Sequence, residues 1–216
     1  MTTNPPAENH AQSKPAAAIE PGFEVTAHAF WEKNRSFITL VCAAALLIII
    51  GREGWQYYSA QHEKNVRSEY AKVADRPEQL AAFAAANSDH ALAGVAYLRI
   101  ADTKYSANDF RSAAENYTKA SASLKNPALL GRAKIGAAMS QLNSGDKAKG
   151  EAALKAIGAD MNLPKNVRAE ATYHLATLAY EAGNAAEVSR LVTEVSKIEL
   201  SGIWAQRATA LLTIKP

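Results

Sequence analysis

Five histidines (His10, His28, His62, His90 and His174), one cysteine (Cys42) and a scatter of carboxylates are the side chains here suited to metal binding or catalysis. Glu170 and His174 stand four residues apart, which places both on one face of a helix at the spacing of two metal ligands. No third ligand lies at a matching interval, so the expectation is a solvated Glu–His pair and no metal. A single cysteine excludes an intrachain disulfide and a cysteine-based metal centre. The eleven glycines occur singly, chiefly at turns, and make neither a GxGxxG nor a GK[ST] phosphate loop. There is no GxSxG nucleophile elbow and no carboxylate pair isolated in apolar surroundings. The expectation is a protein that is not an enzyme and takes no cofactor.

The elements around these residues read as helices. Of 216 residues, 48% are hydrophobic but only 7% aromatic, and alanine recurs in pairs and triplets. That composition favours close-packed helices over a β-sandwich. Charged residues make up 21% of the chain, with a net charge of +3 and no dense basic block, so nucleic-acid binding lacks its electrostatic signature.

The segment Ser36–Gly51 carries no charge over sixteen residues, SFITLVCAAALLIIIG. As a helix it covers roughly 24 Å of a hydrocarbon core about 30 Å thick. Arg52 can snorkel outward, and Trp55, Tyr57 and Tyr58 supply an aromatic belt beyond it, extending the membrane-adapted stretch to Tyr58. Trp31, Lys33 and Arg35 flank the other side. No small-x-small cleavage site follows the run, so an uncleaved anchor is expected rather than a signal peptide. Flanking charges lie on both sides and leave the orientation open. Residues 1–35 read as a tail, disordered to about Gly22. From Phe23 an apolar stripe of Phe23, Ala27, Phe30 and Trp31 suits a short helix in the membrane interface. Residues 36–58 read as the transmembrane helix and 59–216 as a separate helical domain.

Within that domain a helix continues to about Ala74, with Val66, Tyr70 and Val73 as its packing stripe. Pro77 opens the next helix, and Asn87-Ser88-Asp89 offers a cap for the one after. The chain then repeats. Asn108-Asp109, Gly145-Asp146 and Gly183-Asn184 are turn dipeptides spaced 37 and 38 residues apart (108 to 145, 145 to 183). Seven residues before each stands an alanine: Ala101, Ala138 and Ala176. The pattern predicts helix pairs 89–106 with 109–124, 128–143 with 146–157 and 166–182 with 184–197, and a last helix over about 202–213.

The run from Tyr97 to Ala120, with Ala101, the Asn108-Asp109 turn and Phe110-x-x-Ala113-x-x-x-Tyr117-x-x-Ala120, resembles a tetratricopeptide repeat (TPR). Small residues stand where helices cross closely. The other two units are degenerate, with Gly150 and Val188 in the place of Ala113. The fold class this implies is all-α, a TPR-like helical-hairpin solenoid following a single N-terminal transmembrane helix. Taken with Phe30-Trp31-Glu32-Lys33-Asn34 before the span and Gly51-Arg52-Glu53-Gly54-Trp55-Gln56-Tyr57-Tyr58 after it, the whole resembles the YfgM-like family. That resemblance implies a single-pass protein of the bacterial inner membrane, N-terminus cytoplasmic and repeats periplasmic. It also implies an ancillary subunit of the Sec translocon, with the translocon and a periplasmic chaperone as protein partners and no nucleic-acid or small-molecule substrate. Another reading is an envelope scaffold in cell division or wall synthesis.

Carried over by position, the concave groove of such repeats takes Leu98, Arg99, Asp102 and Tyr105 from the first unit. The second gives Arg132, Ile135, Met139 and Asn143, and the third Glu170, Tyr173, Thr177 and Tyr180. Leu98, Ile135 and Met139 serve equally well as inter-helix packing. Leu98, Asp102 and Gly136 occupy positions where some TPR domains place a Lys/Asn clamp for a terminal carboxylate, so that clamp is missing.

Overall fold

A computed structural model of the chain describes residues 22–213. Among the described residues it is helical throughout, with no strand. The helices are α1 (Phe23–Val73), α2 (Pro77–Ala86), α3 (Ala91–Ser106), α4 (Phe110–Ser123), α5 (Pro127–Asn143), α6 (Lys147–Ala159), α7 (Lys165–Glu181), α8 (Ala185–Ile198) and α9 (Ile203–Ala210). The chain divides into two compact units between Ser59 and Ala60, inside α1.

The first unit is the N-terminal part of α1. No residue of its apolar run is buried, Leu47 and Ile48 being 71% and 72% exposed, and the helix is long and apolar enough to cross a membrane. A water-facing row of this kind is costly unless lipid or protein covers it. Trp31, Trp55, Tyr57 and Tyr58 are exposed around it, and the Trp55 and Tyr58 rings lie 6.3 Å apart. The helix begins at Phe23, so the stripe expected to form a short interfacial helix is instead the first turns of α1. The expected disordered tail lies, except for Gly22, outside the described residues.

The second unit packs each helix on the next along the chain, α2 on α3 and so on to α8, with α9 lying on both α7 and α8. Three successive cores fill the layers. Val66, Leu80, Phe83 and Ala96 form the first, Ala101, Ala113, Tyr117 and Ala120 the second, and a larger one runs from Ile135 to Ala208. The alanines at the crossings, Ala101, Ala113, Ala138 and Ala176, are completely buried. A methyl group is all that the closest approach of two helix backbones admits.

The repeated turns share one hydrogen-bond design. After α3, the Asp109 N–H donates to the Lys104 carbonyl at 2.9 Å and the Asn108 N–H to the Tyr105 carbonyl at 3.0 Å. Asp146 to Gln141 with Gly145 to Leu142, and Asn184 to Ala179 with Gly183 to Tyr180, repeat the pair after α5 and α7. These are Schellman closures, whose pivot must be left-handed. Asn108, Gly145 and Gly183 have φ of 59°, 95° and 71°, residue types that tolerate that region. The next residue caps the following helix. Asp109 accepts from the Ser112 N–H and Asn184 from the Glu187 N–H, while Asp146 makes no side-chain cap and pairs with Lys149 at 3.1 Å.

The cap of α3 differs from expectation. It is His90, not Asn87-Ser88-Asp89: the His90 Nδ1 accepts the Leu92 N–H at 3.1 Å, and Nε2 lies 2.7 Å from Glu63 Oε2. Because Nδ1 accepts, the ring proton sits on Nε2 and is donated to the carboxylate. One imidazole thus starts α3 and holds it to α1.

Candidate functional site

A cleft of about 480 Å³ opens where the first helices of successive pairs stand side by side. Tyr105 of α3, Tyr117 of α4, Arg132, Ile135, Gly136 and Met139 of α5, and Val167, Glu170 and His174 of α7 line it, with Ala128 and Asn166. Helix α5 touches α7 directly and packs on α4, and a glycine stands at each of these two approaches. At Gly131 a Cβ would sit 2.5 Å from Val167 Cγ1, and at Gly136 it would sit 2.6 Å from Tyr117 Cζ. Both glycines are therefore dictated by close approach.

One wall is a polar network. The buried Tyr117 donates its hydroxyl hydrogen to Asp102 Oδ1 at 2.7 Å, and Arg132 Nη2 donates to Asp102 Oδ2 at 2.6 Å. Burial, and next the hydrogen bond to Asp102, push the Tyr117 phenol well above its ordinary value. Asn143 Nδ2 donates to the Tyr105 hydroxyl at 2.7 Å, and the Tyr105 ring meets Phe110 edge-on at 5.2 Å. Three helices are held by these contacts, and Arg132 enters the cleft already neutralised by Asp102.

The opposite wall is Glu170 and His174, 4.0 Å apart. Their side chains are 29% and 22% exposed, so the expected solvated pair is in fact half-buried. Helix α9 covers the histidine: Trp204 lies 5.4 Å from Tyr173 and 6.0 Å from His174, and Arg207 lies over the indole at 4.9 Å. Burial raises the Glu170 carboxyl above its ordinary value against the pull of Arg207. Burial, and secondarily Arg207, lower the His174 imidazole. Both shifts favour neutral forms. Among the described residues no group of three or more metal-ligating side chains assembles.

The expected groove residues divide into four sets. Tyr105, Arg132, Met139 and Glu170 line the cleft, with Asp102 and Asn143 bracing two of them from behind. Arg99 lies elsewhere, in a smaller hollow beside Ala74 and Pro77, 3.6 Å from Asp75. Tyr173, Thr177 and Tyr180 are half-buried on α7, Tyr173 under Trp204 and Tyr180 against the large core. Leu98 is core, and Ile135 is a core side chain whose edge reaches the cleft floor. Tyr117, His174, Asn166 and Val167 were not expected there. The Tyr117 spacing signalled packing, and only its distance from Asp102 on the preceding helix hints at the hydroxyl contact.

Compared with protein-family models, residues 28–160 match the family described as tetratricopeptide repeat-like domain. The match begins in the N-terminal part of α1 and ends with α6. No curated protein and no solved structure matches the chain.

Proposed function

Since the chain belongs to the tetratricopeptide repeat-like domain family, we propose that it is a non-catalytic protein-interaction module anchored in a membrane through the apolar run of α1. The observation that carries this is the cleft itself. A mixed lining of Tyr, Arg, Met and aliphatic side chains, braced by Asp102 and Asn143, is the surface chemistry of protein recognition. The finer reading is an ancillary subunit of the Sec translocon in a bacterial inner membrane, with the repeats in the periplasm receiving emerging chains together with a chaperone. Its support is the resemblance of the anchor, with Trp31 before it and Arg52, Trp55, Tyr57 and Tyr58 after it, to the YfgM-like family. Membrane anchoring raises the effective concentration of neighbouring membrane partners, so modest affinity at the cleft is sufficient.

Two experiments test this. A photoreactive residue at Arg132 or Met139, both in the cleft lining, in living cells should give adducts with translocon components or periplasmic chaperones. Adducts confined to division or wall-synthesis proteins would instead favour the envelope-scaffold reading, and none at all would remove support for the cleft. Protease added to spheroplasts should digest the chain beyond Tyr58 and spare an N-terminal tag; protection of the repeats reverses the orientation.

A further inference from the structure

We propose that the cleft takes an extended peptide segment by a lysine or arginine side chain, whose cation sits against the Glu170 carboxylate. The inference rests on the reading of the cleft as a peptide-binding surface and names what that surface selects.

The charges decide it. Two formally charged side chains line the cleft, Arg132 and Glu170. Arg132 is engaged by Asp102 at 2.6 Å, so its charge is balanced before any partner arrives. Glu170 has no such partner: among the described residues its ionic contact is His174, on its own helix and at 4.0 Å. His174 is held toward its neutral form by burial and cannot balance the carboxylate. On α9, Arg207 attracts Glu170 only at a distance, with its guanidinium over the Trp204 indole. From α3 and α4 the lining side chains are Tyr105 and Tyr117, which bring no cation. A half-buried carboxylate in this position is costly to keep ionised, and an arriving cation recovers that cost. Met139, Ile135 and Val167 beside it offer an apolar track for the methylene stem of a lysine or arginine. An acidic side chain would meet only the Glu170 repulsion, since Arg132 is occupied.

The test uses the full chain in a non-ionic detergent and two acetylated, amidated heptapeptides, ALAKALA and the same peptide with norleucine replacing lysine. Calorimetric titration at neutral pH should show the lysine peptide bound about 10-fold more tightly, the worth of one charge-assisted contact. Glu170→Gln should bring the two affinities together, and Glu170→Asp should restore the preference. Near pH 4 the preference should disappear, because burial holds the Glu170 carboxyl above its ordinary value and it gains a proton there. This arm keeps the test decisive if Glu170→Gln does not fold. Equal binding of the two peptides, or a preference that survives Glu170→Gln or acidification, overturns the lysine assignment while leaving a peptide site. Failure of both peptides to bind at millimolar concentration overturns the peptide reading as well.

Discussion

The seam between α5 and α7 makes a prediction in which the cost of one substitution depends on its background. In Gly131→Ala the added methyl would lie 2.5 Å from Val167 Cγ1 and 2.7 Å from Cγ2. Both contacts are to the branched methyls of a buried valine, which cannot rotate away. Overpacking of this kind costs about 1–3 kcal/mol, against a gain of about 1 kcal/mol for replacing a helical glycine by alanine. The net is a loss of about 1 kcal/mol, or roughly 2–4 °C in melting temperature for a unit of this size. Val167→Ala alone should cost about 2 kcal/mol by leaving a cavity. In that background the two γ-methyls are gone and the remaining contact is the residue-167 Cβ at 3.1 Å, which offsets part of the helix-propensity gain, so Gly131→Ala should be close to neutral and at least about 1 kcal/mol less costly than in the wild-type background. Melting of the four proteins can be followed by circular dichroism at 222 nm in detergent, where the apolar run of α1 contributes a constant background. A melting temperature that rises with Gly131→Ala in the wild-type background would refute the seam geometry, and with it the wall that Val167 gives the cleft.

Other perturbations read other parts of the fold. Ala113→Arg forces a charge into a crossing with no exposed surface and should cost about 4 kcal/mol or more, visible as loss of the cooperative melt. At the turns, Gly145→Ala and Gly183→Ala should each cost about 1 kcal/mol in urea unfolding because φ is positive there, while Asn108→Gly should be neutral or stabilising. The pH dependence of melting separates the two cleft groups. His174 has a lowered folded-state value, so the unfolded chain binds its proton first, and stability contributed there falls as pH drops below about 6.5. Glu170 has a raised value, so its contribution is largest at acid pH and declines as the carboxyl ionises. His174→Gln should remove the first slope and Glu170→Gln the second.

The helix pairs were legible because each boundary is written twice, once in the residue that can turn left-handed and again in the Asx that follows it. Asn108-Asp109, Gly145-Asp146 and Gly183-Asn184 are local solutions to a local problem, and every predicted helix boundary around them lies within two residues of the observed one. The His90 cap was hidden because imidazole is an uncommon cap, and its other partner, Glu63, is 27 residues away. The burial of His174 depends on Trp204, brought over by a helix that begins about thirty residues later. Spacing along α7 cannot show what lies on top of it. Leu98 illustrates the same limit: its periodicity fits the groove and the core alike, and packing against Ala101 and Tyr117 selects the core.

Packing each helix chiefly on its successor has a consequence for how the chain comes into being. Contacts close in sequence form quickly, so a nascent polypeptide can consolidate each hairpin as it leaves the ribosome or a membrane pore, without waiting for distant segments. The cleft is the exception to this vectorial order, since its walls come from α3, α4, α5 and α7. A chain halted after α6 would already have ordered hairpins but would lack the α7 wall of the cleft, which is completed only with the third pair.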